Sequence, residues 1–246
     1  MPEQLRRGRF DTTSWSLVVA AAGTPQTRSD AALEELCARY WHPVHAFIRR
    51  HHPDDAHAED LTQSFFARLI EKNYVAQADR TRGRFRTFLL TAVRNFVLNE
   101  VERANTQKRG GRVAHVALDE GPDRRMQQAT PTPEALFHRR WALTLLNEVV
   151  AQLRKDAIER DGERQLDLLL PFVTGDAARN DYAELASQTG TSAGALRVAV
   201  HRLRMQFRDR LRAAVAATLT DPADLDDEIR FLIEAVSSGA QADEAR

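Results

Sequence analysis

Hydrophobic residues recur at helical spacing along almost all of this chain, and the recurrence stops only between about Thr106 and Pro133. Strand signals are nearly absent. No stretch alternates apolar and polar residues for long, and no Asn-Gly or Asp-Gly hairpin turn joins two alternating segments. In the interruption Gly, Pro, Gln, Asp and Thr dominate, and Pro122, Pro131 and Pro133 mark it as an interdomain linker. A chain of 246 residues makes one or two domains. The expected fold is therefore all-α: two small helical domains joined by a flexible linker.

The segments read in order. Residues 1–28 form an N-terminal arm that Trp15, Leu17 and Val18 would dock onto the body. A first domain covers 29–107. Asp30 caps a helix to about Arg50, with Leu33, Leu36, Tyr40 and Phe47 facing the core, and His51-His52-Pro53-Asp54-Asp55 is a turn, because the residue before proline is pushed out of helical geometry. Helices from about Ala56 to Lys72 and from Arg82 or Gly83 to about Asn105 follow, the latter burying Phe85, Leu89, Ala92 and Phe96. The linker is 108–134 and the second domain 135–218. An acidic extension, 219–246, carries a short helix from Asp224 to Val236 with Leu225, Ile229, Leu232 and Ile233 as its apolar stripe.

Net charge is +0, which at first argues against a nucleic-acid partner; its distribution reverses that. Arg80–Arg112 holds nine Arg or Lys against two acids, and Ser192–Arg212 holds six against one. Asp54–Glu71, with five acids and one Arg, and Leu219–Arg246, with eight acids and two Arg, compensate. Two basic patches beside acidic blocks suit a protein that meets both nucleic acid and a protein partner. No apolar run approaches the roughly 20 residues of a membrane span; the longest candidate is Leu17–Ala22. With no ordered secretory signal, the expectation is a cytoplasmic protein without membrane insertion. The single cysteine, Cys37, suits a reducing compartment and lies on an amphipathic stretch as a small core residue.

Asp181–Arg204 has helix-turn-helix chemistry. Ala186 lets two helices approach, Gly190 permits a left-handed turn, and Ser192 is placed to cap the next helix. That helix buries Leu196, Val200, Leu203, Phe207 and Leu211 and presents Arg197, His201, Arg202, Arg204 and Arg208. A recognition helix needs this separation of faces, with Ala193 to Arg197 deepest in the major groove and later arginines on phosphates. An ordinary helical hairpin with a solvated basic face is the plainer alternative.

Arg80–Glu100 interleaves arginines, aromatics and amides, as single-stranded nucleic acid requires of a cationic groove with stacking platforms. Arg84, Arg86, Arg94, Asn95 and Asn99 would supply donors; Phe88 is a candidate ring, whereas Phe85 lies on the buried stripe. Upstream, Asp60–Ile70 is amphipathic, with Asp60, Gln63 and Glu71 outward.

Acidic helix, basic aromatic helix, linker and helix-turn-helix, in that order, resemble the sigma-70 superfamily, and specifically its extracytoplasmic-function (ECF) class. Asp60-Leu-Thr-Gln-Ser-Phe-Phe-Ala-Arg-Leu is similar to that family's core-polymerase-binding helix. Gly83-Arg-Phe-Arg-Thr-Phe-Leu-Leu-Thr-Ala-Val-Arg-Asn resembles its promoter-melting, minus-ten-reading helix, and Tyr182–Arg204 its minus-thirty-five unit. The resemblance implies core RNA polymerase and promoter DNA as partners, with an anti-sigma factor or other regulator as a further candidate. It implies a non-enzymatic protein that needs no cofactor or metal. Asp60, Leu61, Gln63 and Phe66 would dock on the clamp helices of the largest polymerase subunit. Arg84, Arg86, Phe88, Arg94, Asn95 and Asn99 would serve the minus-ten strand; Ser192, Ala193, Ala195, Arg197, Val198, His201, Arg202 and Arg204 would serve the upstream duplex. The linker would thread along the RNA exit path. Where many members have Trp-Leu this chain has Phe88-Leu89, and the arm and the tail lie outside the minimal pattern. The tail's acidity would let it mimic DNA and mask the basic helix.

Rival readings are a stand-alone helix-turn-helix regulator that binds duplex DNA without polymerase, a helical scaffold, and a metal-dependent hydrolase. The last rests on His42, His45, His51, His52 and His57, whose spacing matches no metal-ligand motif.

Overall fold

The computed structural model describes residues 15–23, 29–79, 81, 83–108, 131–175 and 181–244, and among these every regular element is a helix. In chain order they are α1 (Trp15–Ala21), α2 (Asp30–His51), α3 (Asp55–Glu71), α4 (Phe85–Lys108), α5 (Pro133–Glu159), α6 (Glu163–Thr174), α7 (Asp181–Thr189), α8 (Ala193–Ala217) and α9 (Leu225–Glu244). Single 3-10 turns lie at Tyr74–Gln77 and Pro222–Asp224. Most of the expected linker falls outside the described residues. By contacts the chain divides into one unit comprising Met1–Thr144 with Ala216–Arg246 and another comprising Leu145–Val215. The first turns of α5 and the acidic extension thus belong with the first unit. The sequence reading instead began the second domain at 135 and ended it at 218.

In the first unit α2 packs against α1, α3 and α4. Its stripe Leu33, Leu36, Tyr40, Val44, Phe47 and Ile48 is buried throughout, as a helix with a core-facing side requires. The residue that caps α2 is Ser29, not Asp30: the Ala32 amide donates to Ser29 Oγ (3.2 Å) and Asp30 is the first helical residue. A hydroxyl one position earlier satisfies the same orphan amide and leaves the carboxylate favourably placed in the first turn. Of the expected arm, the described part forms α1, and the rest lies outside the described residues. Trp15, Val18 and Ala21 are buried along one side of α1, and Trp15 meets the edge of Phe85 at 6.4 Å. Cys37 is half-buried, and burial pushes its thiol up to about 11.

The second unit closes over Leu153, Leu166, Leu169, Phe172, Leu185, Leu196, Val200 and Leu203. Asp161 (φ +56°) and Gly162 make the tight α5–α6 turn, the Gly162 amide donating to Ala157 O at 2.8 Å. Between α7 and α8 the chain turns at Gly190, whose φ of +66° is left-handed backbone that glycine adopts without a Cβ penalty. Ser192 Oγ accepts from the Ala195 amide (3.2 Å), which starts α8, and Ala186 packs on the core between the two helices.

Candidate nucleic-acid interface

The helix α4 carries the densest basic and aromatic sequence, and its register sorts those residues. Phe85, Leu89, Val93, Phe96 and Val97 are buried; Val93, rather than the expected Ala92, is the deepest of the middle turns. A three-four spacing allows either residue, and the larger side chain takes the interior. Arg94, Asn95 and Asn99 consequently lie on the exposed side, and Phe88 is half-buried, tilted against Phe85 at 5.8 Å.

A cavity of about 250 Å³ opens between α3, the 3-10 turn and this side of α4. Phe65, Phe88 and Phe96 supply rings and Asn95, Asn99 and Gln77 supply amides, with Tyr74 and Arg68 beside them. Three residues singled out for strand contact, Phe88, Asn95 and Asn99, therefore share one opening. Tyr74, Gln77 and Arg68 went unnoticed in the sequence, because a single 3-10 turn has no periodicity to detect and Arg68 reads as an ordinary surface residue of α3.

On α3, Asp60 and Gln63 are exposed, whereas Leu61 and Phe66 face the interior. Phe66 stacks on Trp41 at 5.7 Å with 17° between the planes. The charged and amide side chains offer an outer face; the apolar ones set the pitch of the helix against its neighbours.

Arg84 and Arg86 behave differently from Arg94. Arg86 is only 4% exposed, and both its terminal nitrogens pair with the carboxylate of Glu228 on α9, Nη2 donating to Oε2 at 3.0 Å. Arg84 Nη1 reaches the same carboxylate at 2.6 Å. The Arg86 guanidinium lies 4.4 Å from the Trp141 ring centre and 4.8 Å from that of Phe231, a cation held between two aromatic rings. Burial, then the charge of Arg84, push Arg86 down to about 10 against the opposing influence of Tyr40, so it stays charged at neutral pH. Next to it, burial first and Arg86 second push His138 down to about 4, with Glu134 opposing. Glu228 itself is fully buried. It interrupts the apolar stripe expected of this helix. Leu232 is buried, Leu225 and Ile229 are half-buried, and Ile233 is 56% exposed.

In the second unit α8 buries Leu196, Val200 and Leu203, with Phe207 and Leu211 partly covered. Ala195, Arg197, Val198, His201 and Arg202 are exposed, and Ala193 is half-buried. Arg197 lies over the Tyr182 ring at 5.8 Å. Ser192 is exposed but its hydroxyl is used as the cap. Arg204 is also tied down, donating from Nη2 (2.7 Å) and Nε (3.3 Å) to the Phe172 carbonyl near the C-terminal end of α6. Among the described residues no cluster of His, Cys, Asp or Glu could hold a metal ion, and no helix is long and apolar enough to cross a membrane.

Residues 36–107 match the family described as Sigma-70 region 2, a span that contains most of α2, all of α3 and nearly all of α4. The chain is also 28% identical over 185 residues to the ECF RNA polymerase sigma factor SigE of Mycolicibacterium smegmatis (strain ATCC 700084 / mc(2)155). Residues 36–107 are thus similar to sigma-70 region 2, and the chain as a whole is similar to an ECF sigma factor. The alignment covers 72% of this chain and 61% of that relative, so the chain spans about three-fifths of the length of the curated protein it matches. No solved structure matches it significantly. Region 2 thus contains the α3 outer face, the ring-walled cavity and the Arg84–Arg86 pair; the α7–α8 turn lies beyond it in the chain.

Proposed function

We propose that the protein is a sigma factor: it binds core RNA polymerase, directs it to specific promoters and assists melting and initiation. The observation that carries this reading is the convergence of Phe88, Asn95 and Asn99 on one cavity of region 2. An unstacked base has two flat faces and a hydrogen-bonding edge. Rings at the wall and amides at the rim complement both features, and the exposed Arg94, which lines a separate hollow with Phe47 and His51, supplies charge for backbone further along the strand. A single phenyl ring at Phe88 offers less stacking area than an indole would. Asp60 and Gln63 on α3 form the polymerase-docking face, while Leu61 and Phe66 support it from inside.

The α7–α8 pair is read as a helix-turn-helix for upstream duplex DNA. Arg197, Val198, His201 and Arg202 lie on its outer face, Arg and His as donors and the Val198 methyls for a thymine methyl. Ala193 and Ala195 are small enough to let the start of α8 approach the base edges. The protein acts without catalytic chemistry of its own and works in the cytoplasm, where an anti-sigma factor or other regulator is a further partner.

In vitro transcription with core polymerase on a genomic DNA library tests the proposal. Factor-dependent and core-dependent start sites should share an upstream and a start-proximal motif. A protein that binds duplex DNA but neither associates with core nor redirects initiation would instead be a stand-alone regulator.

A further inference from the structure

An acidic helix following α8 has no evident need to bury a glutamate, yet Glu228 on α9 is fully buried and meets two arginines of region 2. Buried ion pairs are poor stabilisers, because the desolvation of both charges offsets most of their attraction; a well-packed apolar pair serves a permanent interface better. Their distinctive property is exchangeability: a carboxylate held by two guanidiniums can be replaced by another oxyanion of similar geometry. The apolar support around this one is thin. Among the residues of α9 whose burial is described, Leu232 is the one fully buried apolar side chain, Leu225, Ile229 and Val236 are half-buried, Phe231 contributes one face of its ring to Arg86, and Ile233 is exposed. Asp221 accepts from the Ala223 amide (2.8 Å) in the turn before α9, which keeps the helix start close to the end of α8 and its local concentration high.

We propose that α9 is an intramolecular latch on region 2: the Glu228 carboxylate occupies the Arg84–Arg86 pair that a phosphate of single-stranded nucleic acid would otherwise take. The inference rests on α4 being the strand-binding helix. In the latched state the Arg94, Asn95 and Asn99 side remains open, while Arg84 and Arg86 are withheld. A melted strand, or polymerase docking that displaces α9, releases them. The free protein therefore binds single strands weakly, and full grip appears only in the assembled complex.

The test uses the full chain, a labelled single-stranded DNA oligonucleotide of mixed sequence and a salt series. Glu228→Gln keeps the shape of the side chain and removes its charge. It should bind the oligonucleotide at least about tenfold more tightly than wild type at low salt. Each phosphate contact adds about 0.7 to the slope of log K against log salt on single strands, so the one phosphate taken by the released pair should steepen it by about 0.7. An unchanged slope in a correctly folded variant overturns the latch. Because the variant could lose its fold, amide exchange over 225–236 is followed in wild type as well. Exchange should accelerate when oligonucleotide or core polymerase binds, and undiminished protection in the bound state overturns the proposal. Failure of the latch leaves a wild-type protein that still initiates with core. Failure of the functional reading leaves one that binds neither core nor strand, and the latch falls with it.

Discussion

Replacing Arg204 by alanine separates two roles that its sequence position leaves mixed. Arg204 sits on the cationic side of α8, where a phosphate contact is the natural expectation, but its guanidinium donates twice to the Phe172 carbonyl, at 2.7 and 3.3 Å. That carbonyl lies near the C-terminal end of α6, where unsatisfied carbonyls and the helix dipole favour a cation. A hydrogen bond involving a charged partner contributes roughly 1.5–3 kcal/mol when sheltered; the exposed position of Arg204 lowers this, and the dipole adds about 0.3–1 kcal/mol. The expected loss is about 1–2 kcal/mol, confined to α6–α8. For a unit of this size that corresponds to a fall of roughly 4–16 °C in unfolding temperature. Thermal unfolding followed by helical ellipticity, with amide exchange across α6–α8, measures it. Arg202→Ala is the comparison: the side chain is exposed, so stability should stay within about 0.5 kcal/mol. Its loss should instead weaken duplex binding and reduce the salt slope by about 0.9 if it meets a phosphate. The reasoning is refuted if Arg204→Ala leaves stability intact while lowering duplex affinity and salt slope as Arg202→Ala does.

Three other outcomes follow from the same structure. Gly190→Ala places a Cβ on left-handed backbone with nothing within 4 Å of it, so the loss should come from backbone strain alone, about 1–2 kcal/mol in denaturant unfolding, with Gly190→Asn milder. Asn95→Ala removes one amide from the rim of the ring-walled cavity and should weaken single-strand binding about fivefold while leaving duplex binding by α8 unchanged, read by fluorescence anisotropy. Because burial holds His138 down at about 4 in the folded state, the unfolded chain binds its proton first as pH falls. Stability from this group is complete above about pH 6.5 and is lost as pH drops toward 4, so His138→Gln should flatten the pH dependence of unfolding across that window.

The helices were legible because their signals are local. Gly190 and Ser192 mark the start of α8 from residues three or fewer apart, and the 3.6-residue stripe of α4 decides which of its side chains can be exposed. The cavity was half legible for the same reason: Phe88, Asn95 and Asn99 fall on one side of one helix, whereas Tyr74 and Gln77 come from a turn too short to carry a pattern. Arg86 and Glu228 were not legible at all. An arginine between aromatics on α4 and a glutamate in an acidic tail each look like solvent-facing charge, and across a sequence separation of 142 there is no cue that they meet. Burial of a charge is a property of the pair, since either residue alone would carry a desolvation cost that forbids it. Sequence patterns assign charges to surfaces because single residues obey that rule, and they fail where two opposite charges cancel the cost together. The same logic makes the contact informative. A buried pair linking the basic helix of region 2 to the extension beyond the family's minimal pattern ties the least interpretable part of this chain to its candidate DNA-handling surface. The acidity of that extension is therefore better read residue by residue than as a diffuse mimic of DNA, with Glu228 directed at Arg84 and Arg86, Asp227 paired with Arg230 and Asp221 capping the turn before α9.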